Sequence, residues 1–253
     1  MKTVRDTWLL FERSMSLTVR NPVWVVIGLV QPLYFLVLFG PLLQPLAGAP
    51  GFPPGNALNV FVPGLLIQLG LFGTGFVGFG LIAELRYGVV ERLRVTPVSR
   101  LALLLGRALR DVVVLLVQAV LLIVCAVPFG LHPNVLGVAV MLGLMILLGL
   151  LAVSISYALA LWLRNEDALA PLLNTVTLPV LLLSGVLLPL SLAPGWLRAV
   201  ATLNPLSHAV DAARALFNEQ LGDPSIPRAL AILGALALVA LVVASRSFNR
   251  AAA

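Results

Sequence analysis

The chain has 253 residues, 60% of them hydrophobic and only 10% charged, against about 25% charged in an ordinary soluble domain. So little charge excludes a water-soluble core and makes lipid the solvent of the chain's one domain. The net charge of +6 would suit nucleic acid, but the basic residues sit at the ends of apolar runs and in short loops, where arginine sets orientation, and nucleic acid is excluded as a partner.

The chain opens on an amphipathic pattern. Val4, Trp8, Phe11, Met15 and Val19 recur at four- and three-residue spacing, while Lys2, Arg5, Asp6, Glu12, Arg13, Ser16 and Arg20 fill the other positions. This predicts an interfacial helix over residues 1–21, with Trp at the membrane boundary and arginines toward anionic headgroups. Its polar face suits a cytoplasmic partner as well as lipid, and amphipathicity alone leaves both open. Asn21-Pro22 then ends the helix. The apolar run that follows is longer than a signal-peptide core, so the first span is expected to stay as an uncleaved anchor.

A span needs about 20 apolar residues. Six such runs are predicted at Pro22–Leu43, Asn59–Ala83, Leu109–Gly130, Val135–Leu163, Ala168–Leu190 and Ala229–Ser245. With the N-terminus inside, the cytoplasmic side holds Lys2, Arg5, Arg13, Arg20, Arg86, Arg92, Arg94, Arg100, Arg107, Arg110, Arg164, Arg246 and Arg250, and only Arg198, Arg214 and Arg228 lie outside. The positive-inside rule therefore predicts both termini in the cytoplasm. Gln44–Leu58 is an uncharged outer connector rich in Pro and Gly.

Two further segments are predicted not to span. Between the second and third spans, residues 84–100 carry Tyr87, Val90, Leu93 and Arg94 at helical spacing, as are Glu84, Glu91 and Arg92. This reads as a short surface helix stopped before Thr96-Pro97, with Ser99 capping the next helix. The loop is longer than a simple connection needs and suits a docking surface. On the outer side, residues 191–221 contain Trp196, then Asn204-Pro205 as the cap and first residue of a helix bearing His208, Asp211 and Arg214 on one face. The segment is too apolar for an ordinary loop and reads as two short helices dipping into the outer leaflet, with Trp196 and Phe217 at the interface.

Chemistry within the membrane is thinly provided for. Ser207, His208 and Asp211 form a hydrolase-like set, but all three lie on one short helix and no glycine-framed serine motif surrounds any serine. His132 belongs to a tight turn, and the two histidines lack metal-ligand spacing. The one cysteine, Cys125, is expected to be a small buried apolar residue. Intramembrane polar residues, Gln68, Thr74, Gln118, Asn174 and Thr177 among them, suit either interhelical hydrogen bonds or the lining of a translocation path. Gly70, Gly73, Gly75, Gly78 and Gly80 of the second span permit close helix approach or movement. The interior is expected to hold almost no charge, which argues against an ion relay and for a large apolar substrate. The single lysine, Lys2, has only Met1 before it and fits no Walker loop, so ATP-driven work would need a second kind of subunit.

The loop ELRYGVVERLRVTPVSRLALLLGRALRD resembles the signature of ATP-binding-cassette type-2 permeases, at Glu84, Gly88, Arg92, Arg94, Thr96, Pro97, Arg100, Gly106, Arg107 and Asp111. The outer stretch LSGVLLPLSLAPGWLRAVATLNPLSHAVDAAR is similar to the family's segment before the last span, at Pro189, Pro194, Trp196, Asn204, Pro205 and Arg214. The resemblance covers the chain and is greatest to daunorubicin-resistance-like drug exporters. It implies an all-α permease in the bacterial plasma membrane, paired as a homodimer above two copies of an ATPase subunit that holds ATP and Mg, this chain binding no cofactor itself. It further implies that Arg5, Arg13, Glu84, Arg86, Tyr87, Gly88, Glu91, Arg92 and Arg94 transmit the ATPase stroke, and that Trp196, Asn204, Pro205, His208, Asp211 and Arg214 form an outer lid. The implied cargo is a hydrophobic small molecule moved out between the protomers. Export of a lipid-linked glycan is the rival within transport, and an intramembrane hydrolase using Ser207 or His208 is the rival outside it.

Overall fold

The structure, a computed structural model, describes residues 2–43, 45, 56–88, 99–187 and 190–251. Among them it is all-helical, with ten α-helices: α1 (Lys2–Arg20), α2 (Val23–Leu43), α3 (Ala57–Gly75), α4 (Gly78–Arg86), α5 (Arg100–Ala126), α6 (Val135–Leu163), α7 (Glu166–Leu183), α8 (Gly195–Ala201), α9 (Pro205–Phe217) and α10 (Ser225–Ala251). Six stretches are long and apolar enough to cross a membrane: Val23–Leu42, Ala57–Arg86, Leu101–Phe129, Val135–Leu163, Glu166–Leu183 and Ser225–Phe248. Six crossings return the chain to the side on which it began. That side, called here the termini side, carries α1, the end of α4 and the start of α5.

The expected number of spans is met, and the ends move for local reasons. The third begins at Leu101 and not Leu109, because Ser99 caps α5 by accepting from the Ala102 amide at 3.2 Å and the first turns are already packed. The fifth stops at Leu183 instead of Leu190; the Ser184 amide closes a tight turn onto the Leu181 carbonyl and Gly185 adopts φ 73°. The second is two helices, α3 and α4, broken at Phe76-Val77. Asn134 and Asn204 cap α6 and α9, each accepting from the amide two residues on.

Helix α6 is central, with α10, α3, α5 and α4 packed along it. One apolar cluster fills the half of the bundle away from the termini, around Leu66, Leu122, Met141 and Phe217. A second, around Leu81, Leu104, Val153, Leu161 and Phe248, fills the termini side. Phe217, expected at the outer interface, is only 1% exposed, because α9 lies inside the bundle against α3, α6 and α10. Cys125 departs from expectation in the other direction and lies exposed on the flank of α5.

Candidate functional site

On the termini side three elements converge on the first turns of α5. The first is α1, which has three faces. Thr7, Leu10, Phe11, Ser14 and Thr18 turn toward α5; Val4, Trp8 and Val19 are exposed and apolar; Arg5, Glu12, Arg13 and Arg20 form an exposed, mostly basic third face. The approach to α5 is close enough to require glycine. A Cβ on Gly106 would lie 2.8 Å from the Leu10 Cβ and 3.0 Å from the Thr7 carbonyl oxygen. Arg110 Nη1 adds a bond to Thr18 Oγ1 at 3.4 Å.

The second element is α4, whose Glu84 pairs with Arg107 of α5. The third is α6, whose Tyr157 hydroxyl donates to Asp111; the other Asp111 oxygen is 2.7 Å from Arg110 Nη2. Arg107 is 8% exposed, Asp111 6% and Tyr157 2%, so the charges are sunk in the bundle. Burying an ion is costly unless it is paired and hydrogen-bonded. Two arginines and two carboxylates cancel, and the tyrosine hydroxyl fills a carboxylate lone pair. The expectation of an almost uncharged interior is corrected here: one end of the bundle holds a charged junction. Arg107 and Asp111 stand one turn apart on α5, a spacing legible in the sequence; the third span reaches down to Leu101, so Arg107 lies within it and not outside it as expected.

Around this junction the predicted coupling residues divide. Arg5 and Arg13 are exposed on α1, Tyr87 is 74% exposed, and Gly88 takes a left-handed φ of 67° as the chain leaves α4. Arg86 reaches Glu166 at the start of α7 at 3.7 Å. Glu84 belongs to the junction itself. Glu91, Arg92 and Arg94 lie outside the described residues, as does Pro189.

On the opposite side, α9 is clasped rather than loosely laid. Arg214 Nε donates to the Val60 carbonyl of α3 at 3.1 Å, and Nη2 donates to the Gly185 carbonyl, just past the end of α7, at 2.7 Å. Burial lowers its guanidinium to about 10, against the pull of Asp211, and it stays charged at neutral pH. Asp211 lies on the open face of α9, yet the surrounding protein desolvates its carboxyl and raises it, with Arg214 and His208 pulling the other way. Asn204 caps α9 and donates to the Val180 carbonyl of α7 at 2.7 Å; Pro205 is the first helical residue, and Trp196 on α8 is 69% exposed. The Ser207 hydroxyl is bound to the Ala201 and Asn204 carbonyls at 2.7 Å, and His208 Nε2 sits 3.2 Å from the Thr202 carbonyl. Both side chains brace the α8–α9 turn, and they do not converge on each other as a hydrolase set must.

The five predicted path residues are spread over α3, α5 and α7. Thr74 Oγ1 donates to its own helix at Gly70, 2.5 Å away. Gln118 Nε2 donates to the Val25 carbonyl of α2 at 2.8 Å and rests where Gly28 leaves room. Gln68 is buried in α3 with no partner for its Oε1 among the described residues. Thr177 is buried on α7, and Asn174 is exposed on the same helix. Gln118 thus acts as interhelical glue.

Residues 5–218 match the family described as ABC-2 type transporter. The chain belongs to the ABC-2 type transporter family. Two relatives carry permease names linked to drug resistance: daunorubicin resistance ABC transporter permease DrrB1 of Streptomyces coeruleorubidus is 27% identical over 232 residues, covering 90% of this chain and 80% of the relative, and a DrrC of Mycobacterium tuberculosis named for doxorubicin resistance is 26% identical over 217 residues, covering 83% and 76%. The protein ycf38 of Pyropia yezoensis, whose name describes a transport permease, is 31% identical over 220 residues, covering 85% and 75%. In ABC-2 terms the matched region begins in α1 and closes with the last turn of α9, so it takes in both the charged junction and the Arg214 clasp.

Proposed function

We propose that this ABC-2 protein is the membrane subunit of an ATP-driven exporter, moving a hydrophobic small molecule out of the cell. The termini side faces the cytoplasm in this reading, as the excess of Lys and Arg there favours, and the bilayer is the bacterial plasma membrane. A separate ATPase subunit, in two copies, supplies ATP and Mg and docks on the exposed basic face of α1 and on the segment after α4. The supporting observation is the junction itself: α1, α4 and α6 all bear on the first turns of α5, so a push on any surface piece moves the spans beneath it.

The other half of the reading concerns the path. Two protomers pair with α7 turned toward their shared interface. Helix α7 is the least apolar of the six spans and leaves Asn174 and Thr175 exposed. Polar groups at that depth are served by protein, water or cargo and not by lipid. Helices α8 and α9 close the outer end. Drug-resistance names among the relatives support a small hydrophobic cargo.

The test is purification in nanodiscs with the co-expressed ATPase subunit, followed by vanadate-sensitive ATP hydrolysis. Stable co-purification and stimulation by hydrophobic drugs are expected. A chain that purifies alone and gains no ATPase from any candidate subunit would overturn the reading.

A further inference from the structure

We propose that α4 is a lever, hinged at Phe76-Val77 on the Ser156 hydroxyl and latched to α5 by the Glu84–Arg107 pair. The proposed function is needed only to say what moves the lever; the lever itself stands on the packing of this chain.

The hinge is a defect in the hydrogen-bond ladder that a neighbour repairs. The Gly78 amide would bond to the Thr74 carbonyl in a continuous helix, but donates to Ser156 Oγ of α6 at 2.9 Å. Beyond it the helix restarts through tight turns, Phe79 to Phe76 at 3.2 Å and Gly80 to Val77 at 3.1 Å. A side chain inserted into the ladder is a recognised cause of a helix break. The pivot is also one-sided. A Cβ on Gly78 would lie 2.7 Å from the Ser156 carbonyl oxygen, whereas Gly75 and Gly80 meet nothing within 4 Å. One flank of the joint is pressed on α6 and the other is open. Across the joint, Phe72, Phe76 and Phe79 stack with centroids 5.9 and 6.0 Å apart. Stacked rings slide without losing a directional bond.

The latch sits at the far end of the nine-residue α4. The Arg107 side chain is 10% exposed and the Glu84 side chain 41%, so one partner is fixed in the bundle and the other stands at its edge. When Glu84 leaves, Asp111 is a second acceptor one turn along α5 from Arg107. Arg107 Nη1 and Arg110 Nε have no partner among the described residues, so the junction has donors to spare for such an exchange. The other ion pair of α4, Arg86 to Glu166, is exposed at 3.7 Å and holds weakly; the buried Leu81 and Ile82 keep α4 against the termini-side cluster through apolar contacts, which carry no directional bond. One strong partly buried latch, one pivot and one open flank make an element with two arrangements.

The lever is tested on the purified full-length chain in nanodiscs without ATPase, so its failure leaves the permease reading untouched. In a Cys125→Ser background, spin labels go on Tyr87→Cys and Trp162→Cys, positions 74% and 77% exposed. A control pair, Val135→Cys and Leu203→Cys, each 85% exposed, reports on the opposite end of the bundle. Distances are measured by pulsed electron–electron resonance. With the latch intact the Tyr87–Trp162 distances form one major population. Glu84→Gln is expected to raise a second population well above about a tenth of the molecules, with the control pair unchanged. The exchange Glu84→Arg with Arg107→Glu is expected to restore the single population. An unchanged distribution in Glu84→Gln overturns the proposal, as does broadening at both pairs, or a charge exchange that fails to restore the single population.

Discussion

Arg214 illustrates how one side chain ties three elements. Its guanidinium bridges the α3 and Gly185 carbonyls from α9, in the plane and reach that arginine supplies and lysine does not. Removing it leaves two inward carbonyls without a charged donor, worth about 3 kcal/mol on the scale of charge-assisted bonds. Arg214→Ala is therefore expected to lower the thermal midpoint of the detergent-purified chain by several degrees, and Arg214→Lys to recover less than half of the loss; equal midpoints for all three proteins would refute the clasp. At the start of α10, the side chain and amide of Ser225 hold the Asp223 carboxylate below its usual range. A depressed carboxylate contributes stability that is present above the unfolded value and lost as pH falls through the folded one. Exchange protection of the Ser225 amide is accordingly expected to fade only below the ordinary carboxylate range. In Asp223→Asn, which keeps an acceptor but no charge, that pH dependence disappears.

Among the elements, α4 shows what a sequence leaves unsaid. Six glycines in the second span are equivalent as letters, yet packing separates them: Gly78 is jammed against Ser156 and Ala160, while Gly80, two residues on, faces open space. Gly78→Ala is expected to cost about 1–3 kcal/mol as an overpacked site. Gly80→Ala should be neutral or stabilising by up to about 1 kcal/mol, since alanine is the better helix former. Thermal unfolding of the two variants decides it, and equal midpoints would mean that the α4–α6 contact is not the one described. The spans themselves were legible because a membrane imposes length and apolarity locally, and the Asn204 and Ser99 caps because a cap acts within three residues. Pairings were not: Glu84 meets Arg107, and Asp111 meets Tyr157, 46 positions away, and no periodicity carries that information. Phe217 and Cys125 were misplaced for a related reason, since a helix in lipid shows apolar residues on both its packed and its exposed faces.

In the molecule as a whole, two exposed surfaces lie on different helices: the basic face of α1 beside the charged junction, and the part of α7 that carries Asn174 and Thr175. If the first receives the ATPase and the second lines the path, their mutational phenotypes must separate. Arg5→Glu with Arg13→Glu reverses two exposed charges that make no ion pair among the described residues, so the chain itself should fold and insert as before. Its ATPase subunit, however, should co-purify about tenfold less well, the factor expected for a loss near 1.4 kcal/mol, with a further fall at raised salt if the contact is electrostatic. Asn174→Leu removes one of the two adjacent polar side chains, Asn174 and Thr175, that α7 leaves exposed. It should leave ATPase co-purification intact and reduce drug-stimulated hydrolysis toward the unstimulated rate, because the cargo loses a polar partner while the docking face is untouched. Both measurements use one preparation of each variant. Should Asn174→Leu release the ATPase, or the α1 variant keep its ATPase but lose only drug stimulation, the two surfaces would have to exchange roles.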